Sequence, residues 1–105
     1  MKVLKFGGTS VGSADRIQGV ANLISSDNQP KIVVLSAMSG TTNTLVDISN
    51  CLYRNEKQKA LDIIQNLEVN YYITVTELFK TEAFIREGKD FIQTVFTYLR
   101  SFINK

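Results

Sequence analysis

Histidine and tryptophan are absent from this chain of 105 residues, and cysteine and proline occur once each. Without histidine, Ser-His-Asp and Cys-His nucleophile systems and histidine-bearing zinc sites are excluded within the chain. Any chemistry must run on lysine, carboxylates, hydroxyls, backbone amides or a bound metal. One cysteine, Cys51, excludes an internal disulfide and fits a reducing compartment. With no imidazole to activate it, Cys51 reads as a small buried apolar side chain. No apolar run approaches the roughly 18 residues that a membrane helix needs. "MKVLKF" is too short and too interrupted for a secretory signal. Charge is not lopsided either: 12 Lys and Arg face 10 Asp and Glu, an excess too small to argue for nucleic acid. These absences point to a soluble, cytoplasmic protein.

What is present is ordinary globular composition, 44% hydrophobic, and a length that suits one domain or part of one. "KVLKF" is a short apolar run closed by glycines, which predicts a strand from Lys2 to Phe6. Ala14, Ile17, Val20, Ala21 and Ile24 then recur at helical spacing, with Ser10 or Ser13 available to cap the start. The polar loop "SSDNQP" holds the one proline. "KIVVL" reads as a second strand, apolar on both faces as in a buried parallel sheet. The chain therefore opens β-α-β, with a right-handed crossover and parallel strands.

After a second polar loop, "SAMSGTTN", comes a helix with Leu45, Ile48, Cys51 and Leu52 on one side. From about Asn55 the pattern changes. Ala60, Ile64, Leu67, Tyr71, Val75 and Leu78 mark one long helix, a little weakened by the β-branched cluster at Ile73 to Thr76. A break is expected near Lys80 to Gly88, and Ile92, Val95, Leu99 and Phe102 mark a last helix. Two long amphipathic helices in sequence suggest an antiparallel hairpin. The fold class is thus α/β, with a β-α-β-α segment over 1–54 and a helical hairpin over 55–105. Two strands leave open sheet edges, and the apolar pattern runs on to the last residues without a capping signal. Both suggest a larger α/β domain of which this is the first part.

The chemistry concentrates in the two loops. Gly7 and Gly8 follow a strand and precede a helix, the place where α/β sheets bind ligands. They lack a Cβ, so an anion could approach their amides closely, with Lys5 as a point charge beside it. The loop is not a Walker A sequence, and Gly7, Gly8 and Gly12 do not fit G-x-G-x-x-G. On spacing alone, a tight turn and a phosphate cradle stand level. A lysine in a buried strand needs a partner, and a phosphate is one. Parallel strands also place the second loop on the same sheet edge. Ser36, Ser39, Gly40, Thr41, Thr42 and Asn43 would then face the same crevice, where hydroxyls and helix-start amides suit a phosphate or carboxylate. Some of these hydroxyls must serve as helix caps.

At these two loops the sequence resembles the aspartate kinases. "VLKFGGTSV", Val3 to Val11, is similar to their N-terminal signature, and "VVLSAMSGTTNTLVD" to their second-strand segment, in the same order and spacing. The likeness is close over the first fifty residues and loose over the helical remainder. It implies the amino-acid kinase fold, a sandwich around a mainly parallel sheet. It implies transfer of a phosphoryl group from ATP, with Mg2+, to the side-chain carboxylate of L-aspartate, the step that opens the routes to lysine, threonine and methionine. By that resemblance Lys5 is the catalytic lysine bridging the phosphoryl group. Gly7, Gly8, Thr9 and Ser10 contact the ATP phosphates, and Ser36 and Thr42 line the aspartate pocket. A homo-oligomer is implied as well.

The chain also lacks parts that the family needs. These are a downstream acid and arginine for the substrate, a later glycine-rich segment with an aspartate, the strands that hold adenine, and the regulatory domains. The expectation is that this chain alone has no kinase activity. Two other readings remain: a glutamate or uridylate kinase of the same fold, or a non-enzymatic helical module with a β-α-β start. The aromatics among the lysines of the last two helices could stack nucleic acid, but their helical spacing assigns them to the hairpin core. Those that stay uncovered predict self-association.

Overall fold

A computed structural model describes residues 1–104. It has the element order β1 (Lys2–Phe6), α1 (Ala14–Ile24), β2 (Lys31–Leu35), α2 (Thr41–Tyr53), α3 (Lys57–Leu78) and α4 (Glu82–Ile103). The class is α/β as the pattern predicts. Its contacts fall into two units, Met1–Thr42 and the part from Asn43 on.

In the first unit β1 and β2 form a two-stranded parallel sheet, in register from Lys2 opposite Lys31 to Phe6 opposite Leu35. Both strands have the expected bounds. Their burial differs from expectation. Leu4, Phe6, Lys31 and Val33 are half-buried, whereas Val3 is 66%, Ile32 50% and Val34 46% exposed. Residues alternate between faces along a strand, so one face of the sheet is partly covered and the other is open. The apolar run that reads as a two-face buried strand therefore behaves here as a one-face strand. Ser13 caps α1, its hydroxyl accepting from the Arg16 N–H at 3.3 Å. Ala14, Ile17, Val20 and Ile24 form the covered side, while Ala21 is exposed.

The α1–β2 loop closes around one ammonium group. Lys31 Nζ donates to the Ile24 carbonyl (2.6 Å), the Asp27 carbonyl (3.2 Å) and Asp27 Oδ1 (2.9 Å). Asp27 Oδ1 also accepts from the Gln29 N–H at 2.9 Å, and Lys2 Nζ stands 3.9 Å from Asp27 Oδ2. One carboxylate thus offsets two lysines that face each other across the ladder. The hydrogen bond from Lys31, and next the one from Gln29, hold the Asp27 carboxyl below its ordinary value. A depressed carboxylate stabilises the fold above its unfolded pKa of about 3.9 and loses that contribution as pH falls through the folded value. The melting temperature should therefore fall more steeply with acid in the wild type than in Asp27→Asn. Parallel curves from about pH 5 to pH 2 would refute the linkage.

The second unit is helical. α2 ends with Asn55 at φ 60°. The Glu56 N–H donates to the Cys51 carbonyl (2.8 Å) and the Asn55 N–H to that of Leu52 (3.1 Å). That pair of bonds is the Schellman closure, with asparagine in the left-handed position that glycine usually takes. α3 runs unbroken through the β-branched cluster. Thr74 and Thr76 return their hydroxyls to the carbonyls of Asn70 and Tyr72, which leaves the helix intact. α3 and α4 are antiparallel. Tyr71 meets Phe96 with ring centroids 5.8 Å apart, and Arg100 Nη2 donates to Glu68 Oε1 at 2.8 Å.

The break between them is shorter than Lys80 to Gly88. Only Phe79, Lys80 and Thr81 separate the helices, and Gly88 lies inside α4. A Cβ on Gly88 would come within 2.9 Å of Val75 Cγ1. The glycine is there for close helix approach, not to end a helix. The core joins Ile48, Cys51, Ala60, Ile64, Phe96 and Ile103. On α4 the covered line is Ile92, Phe96, Leu99 and Ile103, while Val95 and Phe102 are 45% and 52% exposed. The expected face was right at Ile92 and Leu99 and wrong at Val95 and Phe102. Likewise Leu45 and Leu52 of α2 are 44% and 39% exposed, so Ile48 and Cys51 carry its buried side.

Candidate functional site

The sheet ladder joins the two loops directly. The Ser36 N–H donates to the Phe6 carbonyl at 3.0 Å, one residue before Gly7. Behind the glycine pair the chain turns tightly. The N–H groups of Ser10 and Val11 donate to the Gly7 carbonyl (3.0 and 3.3 Å), and that of Gly12 to the Thr9 carbonyl (3.3 Å). The turn and the second loop touch. A Cβ on Gly12 would lie 3.1 Å from both the Gly8 oxygen and the Ser39 Cβ, and one on Gly8 would lie 3.4 Å from the Ala37 carbonyl oxygen. Gly7 faces open space, with nothing within 4 Å of a built Cβ. The structure therefore brings Gly7, Gly8, Thr9, Ser10 and Ser36 to one edge of the sheet, with Thr42 in the first turn of α2.

The geometry sharpens which donors an anion could use. Ser10 spends its amide on the turn and keeps its hydroxyl. Among the described residues, the Gly8 and Thr9 amides enter none of the turn bonds. The tight turn is thus present, and it leaves the neighbouring Gly8 and Thr9 amides of the same loop outside its bonds. The N-terminus of α1 lies beyond the turn, and its Arg16 amide is taken by Ser13.

Gly40, with φ +85°, occupies the left-handed conformation that a side chain resists. It lets the Thr41 N–H reach the Met38 carbonyl at 3.1 Å as α2 begins. The hydroxyls of Ser36 and Thr42 are exposed, as are Lys5, Thr9 and Ser10.

Lys5 departs from the sequence argument. It lies on the open face of the sheet with Val3, Ile32 and Val34, not in a buried strand. Its ammonium stays solvated and does not need a phosphate to satisfy it. What burial gives up, position supplies: Lys5 is two residues from Gly7.

Arg16 was not singled out from sequence. Its guanidinium Nη1 donates to the Thr9 carbonyl at 2.9 Å, so a second cation braces the glycine loop from the first turn of α1. The signal available in sequence was weak: a basic residue where helix starts favour acids.

The two loops, rich in glycines and hydroxyls, thus share one edge of a parallel sheet. The chain belongs to the amino acid kinase family, whose model matches residues 1–97, and its fold is a partial amino-acid kinase fold. Within that family, the aspartate kinase of Pseudomonas putida is 39% identical over 89 residues, covering 82% of this chain and 21% of the relative. The lysine-sensitive aspartokinase 3 of Escherichia coli is 42% identical over 66 residues, 63% of this chain and 15% of the relative. The aspartokinase of Geobacillus stearothermophilus is 42% identical over 65 residues, 59% of this chain and 16% of the relative. The chain thus spans about a fifth or less of the length of these relatives. Among the described residues no helix is long and apolar enough to cross a membrane.

Proposed function

We propose that this chain forms the phosphate-loop and substrate-loop part of an aspartate kinase, an enzyme that moves the γ-phosphoryl group of ATP to the side-chain carboxylate of L-aspartate. The carrying observation is the Ser36 N–H bond to the Phe6 carbonyl, which holds the second loop beside the glycine turn. The names of the relatives support the choice of substrate.

In this reading Gly7, Gly8, Thr9 and Ser10 receive the phosphates through the Gly8 and Thr9 amides and the hydroxyls. Ser36 and Thr42 donate to the aspartate. Lys5 neutralises charge that spreads over the transferring group. A carboxylate oxygen bonds to the γ-phosphorus as the bond to the bridging oxygen breaks, and ADP leaves with that electron pair. The aspartate side chain is already ionised near neutral pH, so no proton need be removed. The protein's part is positioning and electrostatics.

The residues fit phosphates better than a metal. Among those described, no group of three or more acids, cysteines or histidines could hold a metal ion. The magnesium that accompanies ATP would be held mainly by the phosphates and would neutralise part of their charge.

The isolated chain should not turn over. We place the enzyme in the cytoplasm as a homo-oligomer, and we take the exposed apolar residues of α4 as a basis for self-association. A chimera in which this chain replaces the aligned segment of the Pseudomonas putida relative should phosphorylate aspartate. It should be far less active on glutamate or a nucleoside monophosphate. A chimera active only on one of the latter would overturn the substrate assignment.

A further inference from the structure

The outer face of α4 carries a second apolar line. Phe84, Gly88, Phe91, Val95, Tyr98 and Phe102 are spaced by alternating steps of four and three, the repeat with which one helix accepts another. It is separate from the line of Ile92, Phe96, Leu99 and Ile103 that α4 turns to the core. Phe84 is 56%, Phe91 68%, Val95 45%, Tyr98 67% and Phe102 52% exposed.

The two ends of this line differ in shape. Near the α3–α4 turn it is hollow. Phe79, Phe84, Gly88 and Phe91 border a groove of about 490 Å³, whose floor is the glycine that lets α4 approach Val75. At the far end it stands proud, where the rings of Tyr98 and Phe102 meet edge to face with centroids 4.9 Å apart. Some twelve residues, about 18 Å of helix, separate hollow from knob.

We propose that a second copy of this chain docks on this face, its α4 antiparallel to the first about a two-fold axis level with residue 93. A hollow and a knob on one stripe are self-complementary only in that orientation. Each copy then sets Tyr98 and Phe102 into the other's groove, with Phe102 opposite Phe84, Tyr98 opposite Gly88 and Phe91 opposite Val95. The interface is isologous and closes at two copies.

Charge permits the pairing. Beside the stripe run Glu87, Thr94 and Ser101. The antiparallel match puts Glu87 near the partner copy's serine at the same level and threonine near threonine on the axis, with no like charges opposed. The five exposed side chains offer on the order of 500 Å² per copy, a large part of the about 800 Å² per partner of a standard interface. Phe79, 36% exposed on the groove wall, adds to it. This deepens the self-association proposed above and rests on it.

The test measures molar mass by light scattering across concentration for the chain, for Phe91→Lys and for Val95→Glu. Both sites are exposed, and unchanged helical circular dichroism verifies folding. The chain should be a dimer. Each variant alone should bind itself at least tenfold more weakly, and an equimolar mixture should recover the dimer, because lysine at 91 then faces glutamate at 95. A parallel pairing would set 91 against 91 and 95 against 95; mixing would then relieve like-charge repulsion but oppose each new charge to an apolar residue, and recovery would fall short of the unaltered dimer. A dimer that survives both substitutions would sink this face while leaving self-association standing. A chain that is monomeric at every concentration would overturn both, and open-ended oligomers would refute the closed two-fold.

Discussion

Lys5→Ala in the chimera with the Pseudomonas putida relative is expected to lower kcat by about 10²–10³-fold, the scale for removing one preorganised charge or donor from a transition state. The KM for ATP should move much less. In the proposed reading the glycine-loop amides would bind phosphate in the ground state as well, whereas the lysine's charge would matter most as negative charge spreads over the transferring group. Lys5→Arg should recover only part of the loss, since a planar fork is a poor copy of a compact ammonium.

Lys2→Ala is the matching control. Lys2 lies on the same strand but on the opposite face, near Asp27, and its loss should leave kcat within a few-fold. If Lys5→Ala and Lys2→Ala behaved alike, Lys5 would have no special place in the chemistry. The exposure of Lys5 matters here. A lysine already buried in an ion pair would have to break it before meeting a nucleotide, and among the described residues Lys5 has no such pair.

Ile64→Ala should cost about 2–5 kcal/mol of unfolding free energy, the range for a buried aliphatic truncated to alanine. Ile64 is fully buried in the cluster that also takes in Ile48 and Cys51 of α2 and Phe96 and Ile103 of α4. Three helices share this side chain, so a hole there cannot be closed by moving one of them. Ile73→Ala, on the same helix but 49% exposed, should cost under about 1 kcal/mol. Urea unfolding at one protein concentration would compare them. Equal losses would mean that the cluster is not what holds α3 in place. Against a total stability of about 5–15 kcal/mol for a domain, the larger loss could leave much of the chain unfolded.

Local pattern carried much of this fold. The bounds of both strands and the covered line of α3 follow from runs and spacing that any sheet or helix would impose. The misses have a common cause in packing. Gly88 reads as a breaker because glycine is a poor helix former, yet contact with Val75 makes it the residue that fits. Val95 and Phe102 sit three or four residues from truly buried neighbours. Two apolar lines on one helix therefore answer to the same periodicity, and spacing alone cannot tell inside from outside.

The site was legible as two loops on one sheet edge, because parallel pairing dictates that. Its finer content was not. That Ser10 spends its amide on a turn, and that Arg16 braces Thr9, depends on backbone geometry that no spacing rule records. The case for a buried Lys5 failed because "KIVVL" looks the same whether one or both of its faces are covered.

The bond between Phe6 and Ser36 is made of main chain alone. The gap between the glycine turn and the hydroxyl loop is thus set by the spacing of neighbouring strands, about 4.8 Å, and not by any side chain in either loop. Such a gauge is insensitive to mutation. Residues on both rims can be exchanged while the span stays constant, so under the proposed function a change of acceptor would not require the scaffold to be rebuilt.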